Sequence, residues 1–208
     1  MLIPFGGALK RPEPASDATW PVRTTTRAAP VRTILGQILV AMYTGGEMYV
    51  TMTNDERIAL IQHYAEGYAA VVEALDGMTG AEWESREGPN EWCSREIVHH
   101  LGDSEMNATS RIRMLVAERE PVVTGYDQDR WVEVLYSRER PIEPSLAAFK
   151  AARDATLPLL RLLTEEQWTR EGRHSDAGVM TAETWLSWYG PHAHDHADQI
   201  RRARAAAG

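Results

Sequence analysis

From residue 54 onward, apolar positions recur at three- and four-residue spacing, the period of a helix with one buried face. After Asn54, read as an N-cap, come Ile58, Leu60, Ile61, Tyr64, Tyr68, Val71, Val72 and Leu75, with Gly77 as the stop. A second helix is predicted from near Ser94, carrying Ile97, Val98, Leu101, Met106, Ile112, Leu115 and Val116, with Pro121 as its boundary. Residues 121–143 read as a connection anchored by Tyr126 and Trp131. A third helix begins around Pro144 and Ser145 and runs through Leu146, Phe149, Ala152, Leu157, Leu160 and Leu163, with a kink expected at Pro158. The fourth starts at Thr181 and carries Trp185, Trp188, Tyr189 and a histidine cluster, with local distortion expected at Pro191. No alternating run is long enough to predict a sheet. Four long helices predict an all-α fold, a four-helix bundle.

Residues 1–52 show no such period. They are rich in Pro, Thr, Arg and Gly and are expected to form a mobile or loosely docked N-terminal extension to a bundle domain at 53–208. The 208 residues carry a net charge of −8, which argues against nucleic acid or an anionic membrane as partner. The apolar run at 34–43 is too short to span a membrane, and no cleavage pattern follows it as a secretory signal would require. The single cysteine, Cys93, excludes an intrachain disulfide and fits a reducing, cytoplasmic setting. Cys93 reads as a small residue at a helix entry rather than as a nucleophile.

The chain also echoes itself. Met78-Thr79-Gly80-Ala81-Glu82-Trp83 resembles Leu163-Thr164-Glu165-Glu166-Gln167-Trp168, and each is followed by Arg-Glu-Gly, at 86–88 and 170–172. Each then leads into a helix bearing histidines. Two related halves are expected, with the second and fourth helices equivalent and facing each other.

Five of the seven histidines lie in two groups. His192 and His196, four apart, fall on one helical face, a spacing that lets two neutral imidazoles converge on one ion. His194 points elsewhere. His99 and His100 are adjacent and face directions about 100° apart, so one of the two is available as a third ligand. Three histidines leave coordination positions open, as catalytic ions require. Glu96, Asp103 and Asp195 are candidate acidic partners of these rings. Glu96 and His99 match half of a two-metal Glu-x-x-His pattern, but Tyr189, Pro191 and Ala193 offer no second copy. No His-Glu-x-x-His, Gly-x-Ser-x-Gly, phosphate loop or dinucleotide fingerprint is present.

The stretch from Trp92 to Asn107 resembles the first histidine motif of the DinB-like superfamily, in its YfiT branch. The resemblance continues through Arg111, Arg113, Glu118, Pro121, Tyr126, Asp127 and Trp131 and returns from Met180 to His196. It implies a four-helix bundle holding one divalent ion, zinc or nickel, with His100, His192 and His196 as ligands and His99 as a neighbour. The branch has been described as metal-dependent hydrolases and as bacillithiol S-transferases. Cys93 stands where Ser or Thr is usual, and Gly190-Pro191 precedes His192 where an unbroken helical pair is expected.

The expected activity is a metal-dependent S-transferase that joins a low-molecular-weight thiol, the cosubstrate, to a small electrophile. Arg111 and Arg113 are candidates for binding anionic groups of the thiol, with only one of them facing inward. If a metal-bound hydroxide replaces the thiol, the same site makes a hydrolase in which Glu96 or Asp103 serves as general base. A non-catalytic metal-binding stress protein is the third reading. The expected assembly is a homodimer.

Overall fold

Four helices of this chain begin with the same short-range device. In the computed structural model, which describes residues 40–44 and 47–207, α1 (Asn54–Leu75) is capped by Thr53 rather than by Asn54. Thr53 Oγ1 accepts from Glu56 N at 3.3 Å, and the Glu56 carboxylate accepts from Thr53 N at 2.7 Å. This reciprocal arrangement satisfies two backbone donors that a helix start leaves open. The return bond recurs from Thr79 N to Glu82 at 2.6 Å at the head of α2 (Gly80–Glu84). It recurs from Cys93 N to Glu96 at 2.9 Å in α3 (Ser94–Ala117), and from Thr164 N to Gln167 at 2.9 Å in α6 (Glu165–Thr169). Cys93 thus occupies the capping position that threonine fills elsewhere, fully buried.

Between these lie α4 (Gln128–Val134), a short helix inside the expected connection, and α5 (Glu143–Leu160). The last helix, α7 (Ala182–Ala205), runs through Pro191 without interruption. The long helices are α1, α3, α5 and α7. α1 packs on α7 and α5, and α3 packs on α5 and α7, so the consecutive pairs α1–α3 and α5–α7 lie across the diagonals of the bundle. The expected halves are present as α1–α2–α3 and α5–α6–α7, and the two histidine helices do face each other. Gly67 lets α1 close on α7: a Cβ there would sit 2.6 Å from Ala193 Cβ.

Two expectations need correction. Small sheets exist: β1 (Val40–Thr44) pairs antiparallel with β2 (Glu47–Thr51), while β3 (Val122–Val123) runs parallel to β4 (Gly172–His174), which pairs antiparallel with β5 (Gly178–Met180). These strands are two to five residues long, too short to leave an alternating signature. The domain boundary between 52 and 53 also cuts through packed structure. β2 lies against α7 and β5, and Val50 and Met52 are buried in the core beside Leu60, Trp185 and Leu186. Of the extension expected at residues 1–52, residues 1–39, 45 and 46 lie outside the described residues.

The apolar interior has two clusters, one around Tyr64, Ile112, Leu115 and Trp185, the other around Val71, Ile97, Leu101, Phe149 and Ile200. Arg153, almost fully buried, spans them with its guanidinium 3.7 Å from the Tyr64 ring centroid and 5.2 Å from that of Phe149. Glu105, fully buried, accepts from Arg153 Nη1 at 2.8 Å and from the Tyr64 hydroxyl, so the charge pair is closed on itself. Among the described residues no helix is long and apolar enough to cross a membrane.

Candidate metal centre

His100 on α3 and His192 and His196 on α7 converge where these helices face each other. One ring nitrogen from each lies within 4.8 Å of the others, and no further histidine, cysteine or carboxylate joins the group among the described residues. The Nε2 atoms of His100 and His192 are 3.3 Å apart. Two ligands of a tetrahedral zinc at ~2.0–2.1 Å stand roughly 3.3–3.4 Å from each other, so the spacing fits such an ion. His196 Nδ1 pairs with Gln199 Oε1 at 2.8 Å; the ring therefore donates from Nδ1 and keeps the Nε2 lone pair for a ligand role. Nδ1 of His192 is buried without a partner, while its Nε2 faces another Nε2. A cation accepting all three lone pairs removes that conflict.

Burial holds the rings neutral. Enclosure, reinforced by repulsion from the neighbouring imidazoles, puts His100 and His192 well below the ordinary histidine value of 6.5. His196 is also lowered, by burial, with Gln199 opposing the shift. Trp92 covers one side of the group, its ring centroid 4.6 Å from His100 and 6.1 Å from His196. On the side of His192 the site opens onto a cavity of about 220 Å³ that also reaches Arg111, Tyr126, His174 and Tyr189.

The neighbouring histidines are otherwise engaged. His99 is fully buried between Ser145 Oγ at 2.8 Å and the Arg140 carbonyl at 3.2 Å. His194 stacks on His63 with centroids 3.7 Å apart and pairs with its carbonyl.

None of the three candidate acids joins the triad: Asp195 is exposed, and Glu96 and Asp103, the candidate general bases, have other partners. Glu96 caps α3 and pairs with Arg86 at 2.8 Å and Arg138 at 3.4 Å. Burial pushes its carboxyl up, but the hydrogen bonds from Arg86 and Cys93 outweigh this and hold it below the ordinary value, opposite to what a general base near neutrality needs. Asp103 pairs with Arg140 at 3.2 Å. Of the two arginines, Arg111 lines the cavity, donating to the Tyr189 hydroxyl at 3.1 Å. Arg113 points to α5 and is occupied by Thr109 O at 2.9 Å and Ala155 O at 3.1 Å, so it binds backbone carbonyls of α3 and α5 rather than a ligand. Sequence reasoning missed Gln199, for which its place three residues after His196 was the available signal, and His174, which only the β4–β5 hairpin brings to the cavity.

The fold and the three-histidine centre define a metal-binding bundle, and residues 63–200 match the model of the DinB superfamily, to which this chain belongs, in its YfiT branch. It is 30% identical over 151 residues to the Bacillus subtilis protein named "Putative metal-dependent hydrolase YfiT", covering 72% of this chain and 85% of that one. An Oceanobacillus iheyensis protein with the same style of name is 34% identical over 109 residues, which span 52% of this chain and 63% of the relative. The solved structure of Bacillus subtilis YfiT, described as having an unusual four-helix bundle topology, superposes with a TM-score of 0.67 at 30% identity over 72% of this chain and 86% of that one.

Proposed function

We propose that this chain is a metal-dependent enzyme whose ion is held by His100, His192 and His196, and that it transfers a low-molecular-weight thiol to a small electrophile. The observation that carries the reading is the make-up of the site: three neutral imidazoles, an open side facing a cavity with Arg111, and, among the described residues, no carboxylate in the cluster. His100, His192 and His196 would hold a divalent ion, zinc or nickel, without neutralising its charge, and the chemistry supplied there would be stabilisation of a cosubstrate thiolate. A thiol, with a reference pKa of about 8.5, needs far less acidification than water and so works without a general base in the cluster. Gln199 orients His196, Trp92 keeps water from one side, and Arg111 offers its charge to an anionic part of the cosubstrate. The thiol sulfur forms a bond to the electrophilic carbon, the leaving group departs with its electron pair, and the thiol proton passes to solvent.

The hydrolase reading is favoured by the names of the relatives and by the Asp176 carboxylate at the cavity wall, a candidate base for water. Metal-loaded protein, a thiol and a chromogenic electrophile separate the two. The expected result is thiol-dependent turnover that vanishes on chelation and rises with pH to a plateau reached below the thiol's own pKa. Thiol-independent ester or amide cleavage selects the hydrolase, and the absence of both selects a binding protein. Cys93→Ser is expected to retain turnover, because that thiol is buried at a helix cap and burial raises its pKa. Loss of turnover in Cys93→Ser with metal content intact would make Cys93 the nucleophile and overturn the mechanism.

A further inference from the structure

The cavity beside His192 has a second polar wall, and one of its groups is fixed in a specific protonation pattern. His174 ends β4, and its Nδ1 accepts from two backbone N–H groups, Asp176 at 3.1 Å and Ala177 at 3.3 Å. A ring nitrogen that accepts carries a lone pair, so the neutral ring has its proton on Nε2. No acceptor among the described residues pairs with that Nε2–H. Arg111 has Nη1 on the Tyr189 hydroxyl and Nη2 on the Thr124 carbonyl, which leaves its remaining N–H groups without a protein partner among the bonds it makes. The Tyr189 hydroxyl oxygen accepts from Arg111, and Ser104 stands within hydrogen-bonding reach of the same hydroxyl.

The hairpin is held where this requires. Gly125 N donates to Ser175 Oγ at 2.8 Å, and a Cβ on Gly125 would strike the Asp176 carboxylate and lie 3.1 Å from His174 Cε1. Asp176, the carboxylate in the wall, is exposed and accepts from Ser175 Oγ at 2.8 Å. The buried part of the wall is therefore made of donors, one of them a permanent cation.

We propose that Arg111, His174 and Tyr189 form a binding site for an oxyanion, a carboxylate or phosphate group carried by the small molecule that reacts at the histidine triad. The site rests on the enzyme reading above only for what the bound molecule does next, since binding itself needs no turnover. At about 220 Å³ the cavity is below the ~300 Å³ of sites that enclose whole drug-sized ligands, so it takes one end of a substrate. His192 lines the same cavity, which places the rest of that molecule beside the triad.

Calorimetric titration of the zinc-loaded full chain with succinate, inorganic phosphate and neutral succinamide tests this. Saturable binding is expected for the two anions, with succinamide about tenfold weaker or more, as the loss of charge-assisted hydrogen bonds requires. His174→Phe is expected to weaken succinate by about tenfold while leaving metal content unchanged. Equal binding of succinamide, an unaffected His174→Phe variant, or no saturable anion binding overturns the proposal. Should His174→Phe fail to fold, imidazole nitrogen NMR of the unaltered protein decides: His174 in the Nε2–H form with a shift on adding succinate supports the site, and the Nδ1–H form or an unshifted ring overturns it. The same titration in His100→Ala separates the two readings. Retained anion binding without the ion sustains this site even if the metal assignment falls.

Discussion

A single amide decides how one imidazole of the proposed metal site is presented. Gln199 accepts from His196 Nδ1, which fixes both the tautomer and the plane of the ring. Gln199→Leu removes that restraint and is expected to weaken metal binding by about 10- to 100-fold, measured by competition with a chelator. Replacing His100, His192 or His196 by Ala is expected to remove tight binding, whereas His194→Ala leaves it near normal, because His194 is stacked on His63. The pH dependence follows from the same rings. Burial lowers all three below 6.5, so protons compete with the metal only in the acid range. Affinity is expected to stay level from neutral pH down to about 6.5 and to fall as pH drops through the lowered values. A fall that begins well above 6.5 would show that the rings are not enclosed as described.

At the scale of elements, β2 is the test of where the domain begins. Met52 is buried against the bundle, and Met52→Ala is expected to cost about 2–5 kcal/mol in urea denaturation. A variant as stable as the parent would return the boundary to residue 53. The long helices were legible in the sequence because their apolar stripes repeat over five or more turns. The echo between Thr79–Trp83 and Thr164–Trp168 revealed the pairing of α3 with α7. β3, β4 and β5 were not legible, since two or three residues carry no measurable alternation and β3 pairs with β4 from a distant part of the chain. For the same reason nothing in the sequence singled out His174. Adjacent His99 and His100 are equivalent by spacing alone; the family resemblance singled out His100, and the packing of α3 gives one ring to Ser145 and the other to the triad.

The whole molecule is organised around a charge pair and a diagonal. Glu105→Gln would leave the Arg153 charge buried with only neutral partners and is expected to cost about 3–5 kcal/mol. Glu105→Leu combined with Arg153→Met should recover much of that loss, because a matched apolar pair leaves no stranded charge. Equal losses in the single and double variants, read from urea midpoints, would mean that packing rather than charge governs the position. The diagonal has a different consequence. His100 and His192 lie 92 positions apart, on helices that become neighbours only when the two halves of the chain close on each other. In the proposed metal-binding role, the segment up to α3 carries one ligand and cannot hold an ion by itself. Capture of an ion would then wait for α7 to dock, and a bound ion would fasten two distant segments and raise the temperature at which they part. Loading would act as a checkpoint on assembly, passed only by a molecule in which α7 has found its place.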